Sequence, residues 1–338
     1  MGVRVLVETH PQYQAHDTGP GHPERPARLD AVLAGLEASG AGDALVWAEP
    51  RPATPEELGR VHPADHLDVL QRFCAAGGGR LDADTSAVPE SWEAALLAAG
   101  AGPDAIERID SGEAEAAFCA VRPPGHHATP TRAMGFCLLN NVAVAAAALA
   151  ERGERVFVFD WDAHHGNGTQ DTFYSDGRVL YVSAHQWPLY PGTGSLDDTG
   201  SGAGQGLTLN LPFPAGATGD VYLAAFDEVI APAVERFAPT WAIVSAGFDA
   251  HRADPLTGLG LSAGDYADLT DRLLGLLPGV RVLGFLEGGY DLQALALSAG
   301  AFIGTLAGVP FRPEPATSGG PGRPVVDAVF RSRLQAPM

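Results

Sequence analysis

Four clusters of His, Asp, Gly and Tyr stand out in this 338-residue sequence, and each follows a short apolar run. They are Arg-Pro-Pro-Gly-His-His-Ala at 122–128, Asp-Trp-Asp-Ala-His-His-Gly-Asn-Gly at 160–168, Ala-Gly-Phe-Asp at 246–249 and Glu-Gly-Gly-Tyr at 287–290. In open α/β sheets, ligands bind beyond the carboxyl ends of the strands. If the four apolar runs are neighbouring strands, the clusters meet at one edge of a sheet.

Three residues of these clusters are suited to hold a divalent cation. Asp162 and His164 are two positions apart, so on an extended strand end they point to the same side. Asp249 adds a second carboxylate from another strand. Three ligands leave one position open for water, as a catalytic zinc requires, although these ligand types also suit a binuclear manganese or iron centre. A single Asp-x-His pair is typical of an ordinary polar turn, so the predicted site depends on the clusters occurring together.

The remaining polar residues of the clusters match the other needs of a metal-dependent hydrolase. His126 and His127 can serve as base and acid, and Tyr290, which follows two glycines, can donate its O–H to an oxyanion. Asp160 and Asn167 are suited to orient the two imidazoles. A charged Asp raises the pKa of its histidine, and a neutral Asn does so much less.

The elements that must position these residues alternate along the chain. Candidate strands cover 3–7, 117–121, 156–159, 179–182, 207–211, 242–245 and 282–286, and candidate helices cover 26–37, 64–76, 91–110, 138–152, 219–237, 263–277 and 292–306. Most strand candidates are continuously apolar, which is typical of parallel strands covered on both faces. We therefore predict a single α/β domain, with a central, mostly parallel sheet between helices. A C-terminal tail over 310–338 either wraps the surface or is loosely held.

The amino-acid composition limits which kinds of partner the protein can bind. The chain has 41 acidic and 21 basic residues, a net charge of −20, which repels phosphate backbones and argues against a nucleic-acid partner. The same charge attracts cationic ligands, or it serves solubility alone. The three cysteines form no C-x-x-C pair, there is no signal-peptide pattern, and the apolar stretch 142–150 is too short to span a bilayer. We expect a cytoplasmic protein without a membrane partner.

Together the clusters resemble the signature blocks of the histone deacetylase superfamily, which includes acetylpolyamine amidohydrolases and acetoin-utilisation proteins. Met-Gly-Phe-Cys-Leu-Leu-Asn-Asn at 134–141 and Gly-His-Pro-Glu-Arg-Pro at 21–26 resemble two further blocks, in the family's order. The resemblance implies an arginase-like fold and one zinc ion per chain. It also implies hydrolysis of an acyl amide, most often acetyl, to acetate and a free amine.

The resemblance also implies roles for single residues. His127 resembles the general base and later acid, and His126 the mainly electrostatic histidine, with Asp160 as its carboxylate partner. Asn167 stands where many class I enzymes have Asp and is typical of class II-like members. Tyr290 matches the tyrosine that polarises the scissile carbonyl. The implied zinc ligands are Asp162, His164 and Asp249.

Further residues are implied around the site. Gly135 and Phe136 resemble the wall of the acyl-lysine tunnel, Asp84 loosely resembles the rim carboxylate that grips the substrate backbone, and Arg28 resembles an arginine near an internal acetate channel. Further lining is implied at Tyr190 and Leu256, and a potassium ion at Asp160 and Ser183.

Three functions stay open at this point. The substrate is either an acetyl-lysine protein or an acetylated cationic small molecule such as an acetylpolyamine. A different class is a protein that binds acyl-lysine without turnover. An arginase-type binuclear hydrolase is disfavoured because Asn167 occupies the position where its D-A-H-x-D pattern requires Asp.

Overall fold

The computed structural model describes residues 3–335, with side chains up to residue 332. In these residues, one sheet of eight parallel strands forms the centre, and a two-stranded antiparallel ribbon lies apart from it. The strands are β1 (Val5–Glu8), β2 (Leu45–Ala48), β3 (Gly79–Arg80), β4 (Ser86–Ala87), β5 (Ala116–Cys119), β6 (Val156–Asp160), β7 (Val179–Gln186), β8 (Thr208–Phe213), β9 (Trp241–Ala246) and β10 (Arg281–Leu286). The order across the sheet is β2-β1-β5-β10-β9-β6-β7-β8, and β3 and β4 form the ribbon.

Helices flank the sheet in two layers. They are α1 (Ala27–Ala38), α2 (Pro55–Gly59), α3 (Ala64–Ala75), α4 (Ser91–Asp110), α5 (Asn141–Glu151), α6 (Asn167–Phe173), α7 (Gly219–Ala225), α8 (Ala231–Phe237), α9 (Ala263–Leu276), α10 (Leu292–Leu306) and α11 (Arg323–Gln335). Helix α10 packs between α1 and α9, whereas α4 packs against α3 and α5. The predicted α/β layering with a parallel sheet is confirmed. None of the described helices is both long enough and apolar enough to cross a membrane.

Burial explains why the apolar runs form strands. Every residue of β5, β6 and β9 is buried, as expected for strands covered by helices on both faces. Polar side chains cap the first turn of several helices and so fix where each helix begins. Asn140 accepts a hydrogen bond from the Ala143 N–H at 2.9 Å, so α5 begins after it rather than at 138 as predicted.

Several short elements were not predicted, and one predicted helix is divided. The edge strand β2 was not predicted; it is short and only partly buried, with Trp47 48% exposed. The predicted helix over 219–237 is continuous, but a π-helical turn at Phe226–Ile230 separates α7 from α8.

The C-terminal tail wraps the surface and ends in a helix that the sequence pattern did not reveal. Thr317 donates its hydroxyl to Asp265 at 2.7 Å, and Glu314 accepts from the His251 imidazole at 2.6 Å. Helix α11 contacts β8 and α7, and its Val326 is buried. The tail is thus attached along its length by polar contacts and by an apolar helix face.

The strand register brings the predicted clusters to one edge. Asp160 at the end of β6 pairs with Ser245 of β9 and Ser183 of β7, and Leu286 of β10 pairs with Ala246 of β9. Strand β5 is the next neighbour of β10. The four strands that precede the clusters are therefore consecutive in the sheet.

Candidate metal centre and active site

Two strand ends bring together a carboxylate–imidazole–carboxylate group. Asp162 and His164 follow β6, and Asp249 follows β9. Their ligand atoms all lie within 4.8 Å of one another, and all three side chains are buried. The His164 Nδ1 lies 2.8 Å from Asp249 Oδ2 and 3.2 Å from Asp162 Oδ1. Among the described residues this is the one group of three such side chains that could hold a metal ion.

Backbone N–H groups hold both carboxylates in place. The Gly288 N–H donates to Asp162 Oδ2 at 2.8 Å, and the Ala163 N–H donates to Asp249 Oδ1 at 2.7 Å. A Cβ at Gly288 would lie 2.4 Å from Asp249 Oδ2, so only glycine allows this close approach. The carboxylates are fixed before any ion binds, which reduces the conformational cost of binding one.

The electrostatics of this group favour a cation. Burial and the nearby Asp162 raise the pKa of Asp249 to about 7. Burial disfavours a charged imidazole at His164, but the two carboxylates outweigh it and raise its pKa to about 10. Two buried acids so close together need a positive charge between them, which a divalent ion supplies directly. The donor set therefore fits a zinc ion.

The tandem histidines have different partners. His126 Nδ1 lies 3.0 Å from Asp160 Oδ2, and His127 Nδ1 lies 2.9 Å from Asn167 Oδ1. The amide oxygen of Asn167 only accepts, so Nδ1 of His127 carries the proton and its Nε2 presents a lone pair. The two rings are 4.0 Å apart between centroids. Of the two imidazoles, His127 therefore has the geometry of a base.

Their pKa values move in opposite directions. Burial disfavours a charged His126, but Asp160 and Asp162 outweigh it and raise its pKa well above the usual value. Burial lowers the pKa of His127, and the neighbouring His126 and His164 lower it further. One imidazole is thus held protonated and the other neutral, an arrangement that separates electrostatic and proton-accepting roles.

Glu287 is a residue of this site to which the sequence analysis assigned no role. Its Oε2 accepts the N–H groups of Gly125 at 2.7 Å and His126 at 3.1 Å, so it fixes the loop of the tandem histidines. Burial raises its pKa to about 7. Its place in the Glu-Gly-Gly-Tyr segment was the available signal.

Tyr290 faces the same site from beyond β10. Its backbone N–H donates to Asp254 Oδ2 at 2.7 Å, a carboxylate that the sequence analysis also missed. Its ring packs edge-on against Phe136, with centroids 5.8 Å apart. Burial raises the pKa of Tyr290 well above the usual value, with Asp249 adding to the effect. The phenol therefore stays protonated, and its hydroxyl has no hydrogen-bond partner within residues 3–332.

A cavity of about 230 Å³ joins these groups to the surface. Tyr190 and Leu256 are 36% and 38% exposed and form part of its mouth. All five predicted substrate residues line it, together with His127, His164 and Tyr290; they are Asp84, Gly135, Phe136, Tyr190 and Leu256. Its lining residues are mostly apolar or aromatic, and Asp84 is the acidic one.

The wall at Gly135 and Phe136 depends on an unusual backbone. Gly135 has φ +57° and Phe136 φ +69°. A Cβ at Gly135 would lie 2.4 Å from His127 Cδ2, so the wall approaches the base as closely as glycine permits. The Phe136 N–H donates to Thr85 Oγ1 at 3.1 Å, and that hydroxyl donates to Asp84 Oδ1 at 3.0 Å. The mouth and the wall are therefore one connected structure.

Comparison with known proteins agrees with this geometry. A protein-family model described as the histone deacetylase domain matches residues 22–306. The chain belongs to the histone deacetylase family. A probable deacetylase of Archaeoglobus fulgidus is 40% identical over 306 residues, which cover 88% of this chain and 85% of that protein. A histone deacetylase-like amidohydrolase of Pseudomonas aeruginosa is 39% identical over 295 residues, which cover 86% of this chain and 78% of the relative.

The fold comparison leads to the same family. A crystal structure of the HDA15 HD domain matches with a TM-score of 0.91 and 37% identity, covering 98% of this chain and 95% of that one. The family and these relatives support a deacetylase function for the chain.

Behind the tyrosine of this histone deacetylase family member lies a buried ion network. Arg28 donates from Nε to the Gly289 carbonyl at 2.6 Å, and its guanidinium carbon lies 5.0 Å from the centre of the Tyr290 ring. Glu24 accepts from Arg28 at 3.0 Å and from Arg122 Nη2 at 2.7 Å. Arg28 was predicted near an internal channel, whereas Glu24 and Arg122 had no predicted role.

The residues predicted for potassium lie side by side. Asp160 and Ser183 are paired across β6 and β7. The Asp160 carboxylate accepts from the Asp162 N–H at 3.2 Å and from the Tyr181 hydroxyl at 3.2 Å, and the Ser183 hydroxyl lies 2.9 Å from His185 Nδ1. Both side chains already have protein partners, and the potassium site stays a prediction.

Proposed function

We propose that this protein is a zinc-dependent deacetylase that hydrolyses acetyl and related acyl amides of lysine side chains, or of similar amines, to free amine and acetate. The observation that carries this proposal is the cavity where three buried ligands, a neutral imidazole and a free phenol meet. Asp162, His164 and Asp249 would hold one zinc ion. When bound, zinc supplies Lewis acidity toward water and the amide carbonyl.

The protein's own groups perform the proton transfers. The Nε2 of His127 accepts the proton of the attacking water, because Asn167 keeps the proton of the ring on Nδ1. His126, held protonated by Asp160, contributes positive charge near the reacting carbonyl. The Tyr290 hydroxyl donates to the oxyanion that develops on that carbonyl. The protonated imidazole of His127 then passes its proton to the leaving amine.

An acetylpolyamine is the second candidate substrate. Asp84 lines the cavity, Asp82 lies two residues before it, and the chain carries a net charge of −20. Both features favour a ligand with further ammonium groups.

A potassium ion at Asp160 and Ser183 is proposed as well, on the basis of family resemblance and of their adjacent position in the sheet.

The decisive experiment is an acyl-substrate panel on the purified protein. The protein is stripped with a chelator and assayed for acetate release with and without added zinc, on acetyl-lysine peptides and on acetylputrescine in parallel. We expect release that returns with zinc and is faster on the peptides. Faster turnover of acetylputrescine would favour the polyamine function. Acetate release no greater than in the chelated sample would support a binding protein without turnover.

A further inference from the structure

A second cavity of about 440 Å³ opens beside the mouth of the tunnel. Asp84 and Phe136 line both cavities, so one thin wall separates them. Its other walls come from the segment 18–23 and from the ribbon β3–β4, which contributes Arg80 and Ser86. Because the two cavities share these residues, the groups next to an acylated side chain in the tunnel can reach the second cavity.

The contacts of His22 hold one wall of this second cavity in place. Its Nε2 lies 3.1 Å from the Asp84 carbonyl, and its Nδ1 lies 3.1 Å from the Glu24 N–H. Nδ1 also lies 2.9 Å from the Glu24 carbonyl, so both ring nitrogens have partners. The ring also packs edge-on against Phe136, with centroids 4.8 Å apart. His22 thus joins the 18–23 segment to the rim residue and to the tunnel wall.

Arg80 is the cationic group of this cavity. Its guanidinium donates to the carbonyl of Ala83, and within the described chain it forms no ion pair with any carboxylate. The nearby Asp82 is engaged elsewhere, since its Oδ1 accepts the N–H groups of Asp84 at 3.0 Å and Thr85 at 2.8 Å. The Arg80 side chain is therefore exposed and has no carboxylate partner among the described residues.

We propose that this second cavity is a substrate subsite in which Arg80 binds a carboxylate carried next to the acylated side chain. The inference rests on the proposed function and specifies its substrate class: an acyl-lysine peptide with an acidic residue beside the lysine. A guanidinium binds a carboxylate with paired N–H donors, and it repels an ammonium group.

Two isomeric acetyl-lysine peptides test the proposal. Both have the same composition and net charge; one carries Asp beside the acetyl-lysine and the other carries it at the far end. Because exposed charge pairs are weak and screened by salt, we expect kcat/KM to favour the first peptide about threefold to fivefold at low salt, and less at high salt. Because both peptides carry the same net charge, the general repulsion between an acidic protein and an acidic peptide affects both rates equally.

Two variants separate Arg80 from other arginines. Arg80→Gln is expected to bring the ratio of the two kcat/KM values to about one, and Arg80→Glu to invert it. Arg155→Gln is the matched control, because Arg155 is also exposed and donates to a carbonyl, that of Ala238, at 2.9 Å. Arg155 directly precedes β6, so it lies at the amino-terminal ends of the strands, away from the cavity. This control is expected to keep the wild-type ratio.

Equal rates on the two peptides in the wild-type protein, or a ratio that survives Arg80→Gln, would overturn the subsite. If neither peptide is hydrolysed, the proposed function fails instead. In that case the subsite is tested by measuring the affinity of the same two labelled peptides with fluorescence anisotropy. We expect tighter binding of the peptide with Asp beside the acetyl-lysine, and loss of this preference in Arg80→Gln.

Discussion

Removing the Tyr290 hydroxyl tests the proposed chemistry with the smallest structural change. Tyr290→Phe deletes one oxygen that has no hydrogen-bond partner within residues 3–332, and the ring keeps its contacts with Phe136 and Arg28. The backbone hydrogen bond to Asp254 is also kept. We therefore expect the free energy of unfolding to change by less than about 0.5 kcal/mol.

The expected effect on catalysis is far larger. Loss of a single oxyanion donor typically lowers kcat by about 10²- to 10³-fold, or about 2.7–4 kcal/mol. The raised pKa of Tyr290 keeps its hydroxyl protonated, so the wild-type protein has the full donor at neutral pH. Because the hydroxyl binds most strongly to the developing oxyanion, kcat falls and KM changes little.

The assay measures kcat and KM on an acetyl-lysine peptide, together with zinc content and a urea unfolding curve. Tyr174→Phe is the control, because Tyr174 is half-buried at the end of α6 and does not line the cavity. A Tyr290→Phe protein with full zinc content and a kcat within about tenfold of wild type would refute the oxyanion role.

Three further changes test other parts of the site. Asp249→Ala is expected to abolish zinc retention, and stoichiometric zinc by elemental analysis after dialysis would contradict the ligand set. Gly135→Ala places a Cβ 2.4 Å from His127 Cδ2 at a φ of +57°. It should cost about 1–3 kcal/mol of stability and most of the activity, and urea unfolding and kcat unchanged from wild type would argue against this close approach. Glu24→Gln leaves Arg122 buried without a counter-charge and should cost about 3–5 kcal/mol at pH 7. Burial opposes ionisation of Glu24, but the arginines lower its pKa from 4.5 to about 2. The cost is therefore full above pH 4.5 and shrinks as pH falls toward 2, and urea unfolding that shows the same cost at pH 7 and pH 3 would exclude this coupling.

Much of the fold could be predicted because burial leaves a clear pattern. The runs that became β6 and β9 are continuously apolar, and only strands covered on both faces require that. Strand β2 has no such pattern, since it is half-exposed and held by backbone hydrogen bonds to β1 that carry no sequence signal. Helix α11 was hidden in a segment rich in proline and glycine, where its contacts with β8 supply the stability.

The residues of the site also differ in whether the sequence could reveal them. Asp162, Asp249 and Tyr290 could be placed together because each follows a buried strand, and parallel strands end at one edge. Glu24 and Arg122 are 98 residues apart, and no spacing rule indicates that they form a buried pair. Sequence patterns reveal what a strand end presents, whereas long-range polar pairs depend on packing that only the folded chain defines.

The floor of the tunnel and its mouth are built from separate parts of the chain. Asp162 and Asp249 follow strands in the middle of the sheet, whereas Asp84 lies in the turn between β3 and β4, and Tyr190 lies in a loop. Surface loops accept substitution more readily than buried strands do. New substrate preferences can therefore evolve by a few changes around the opening while the reaction machinery below is inherited intact.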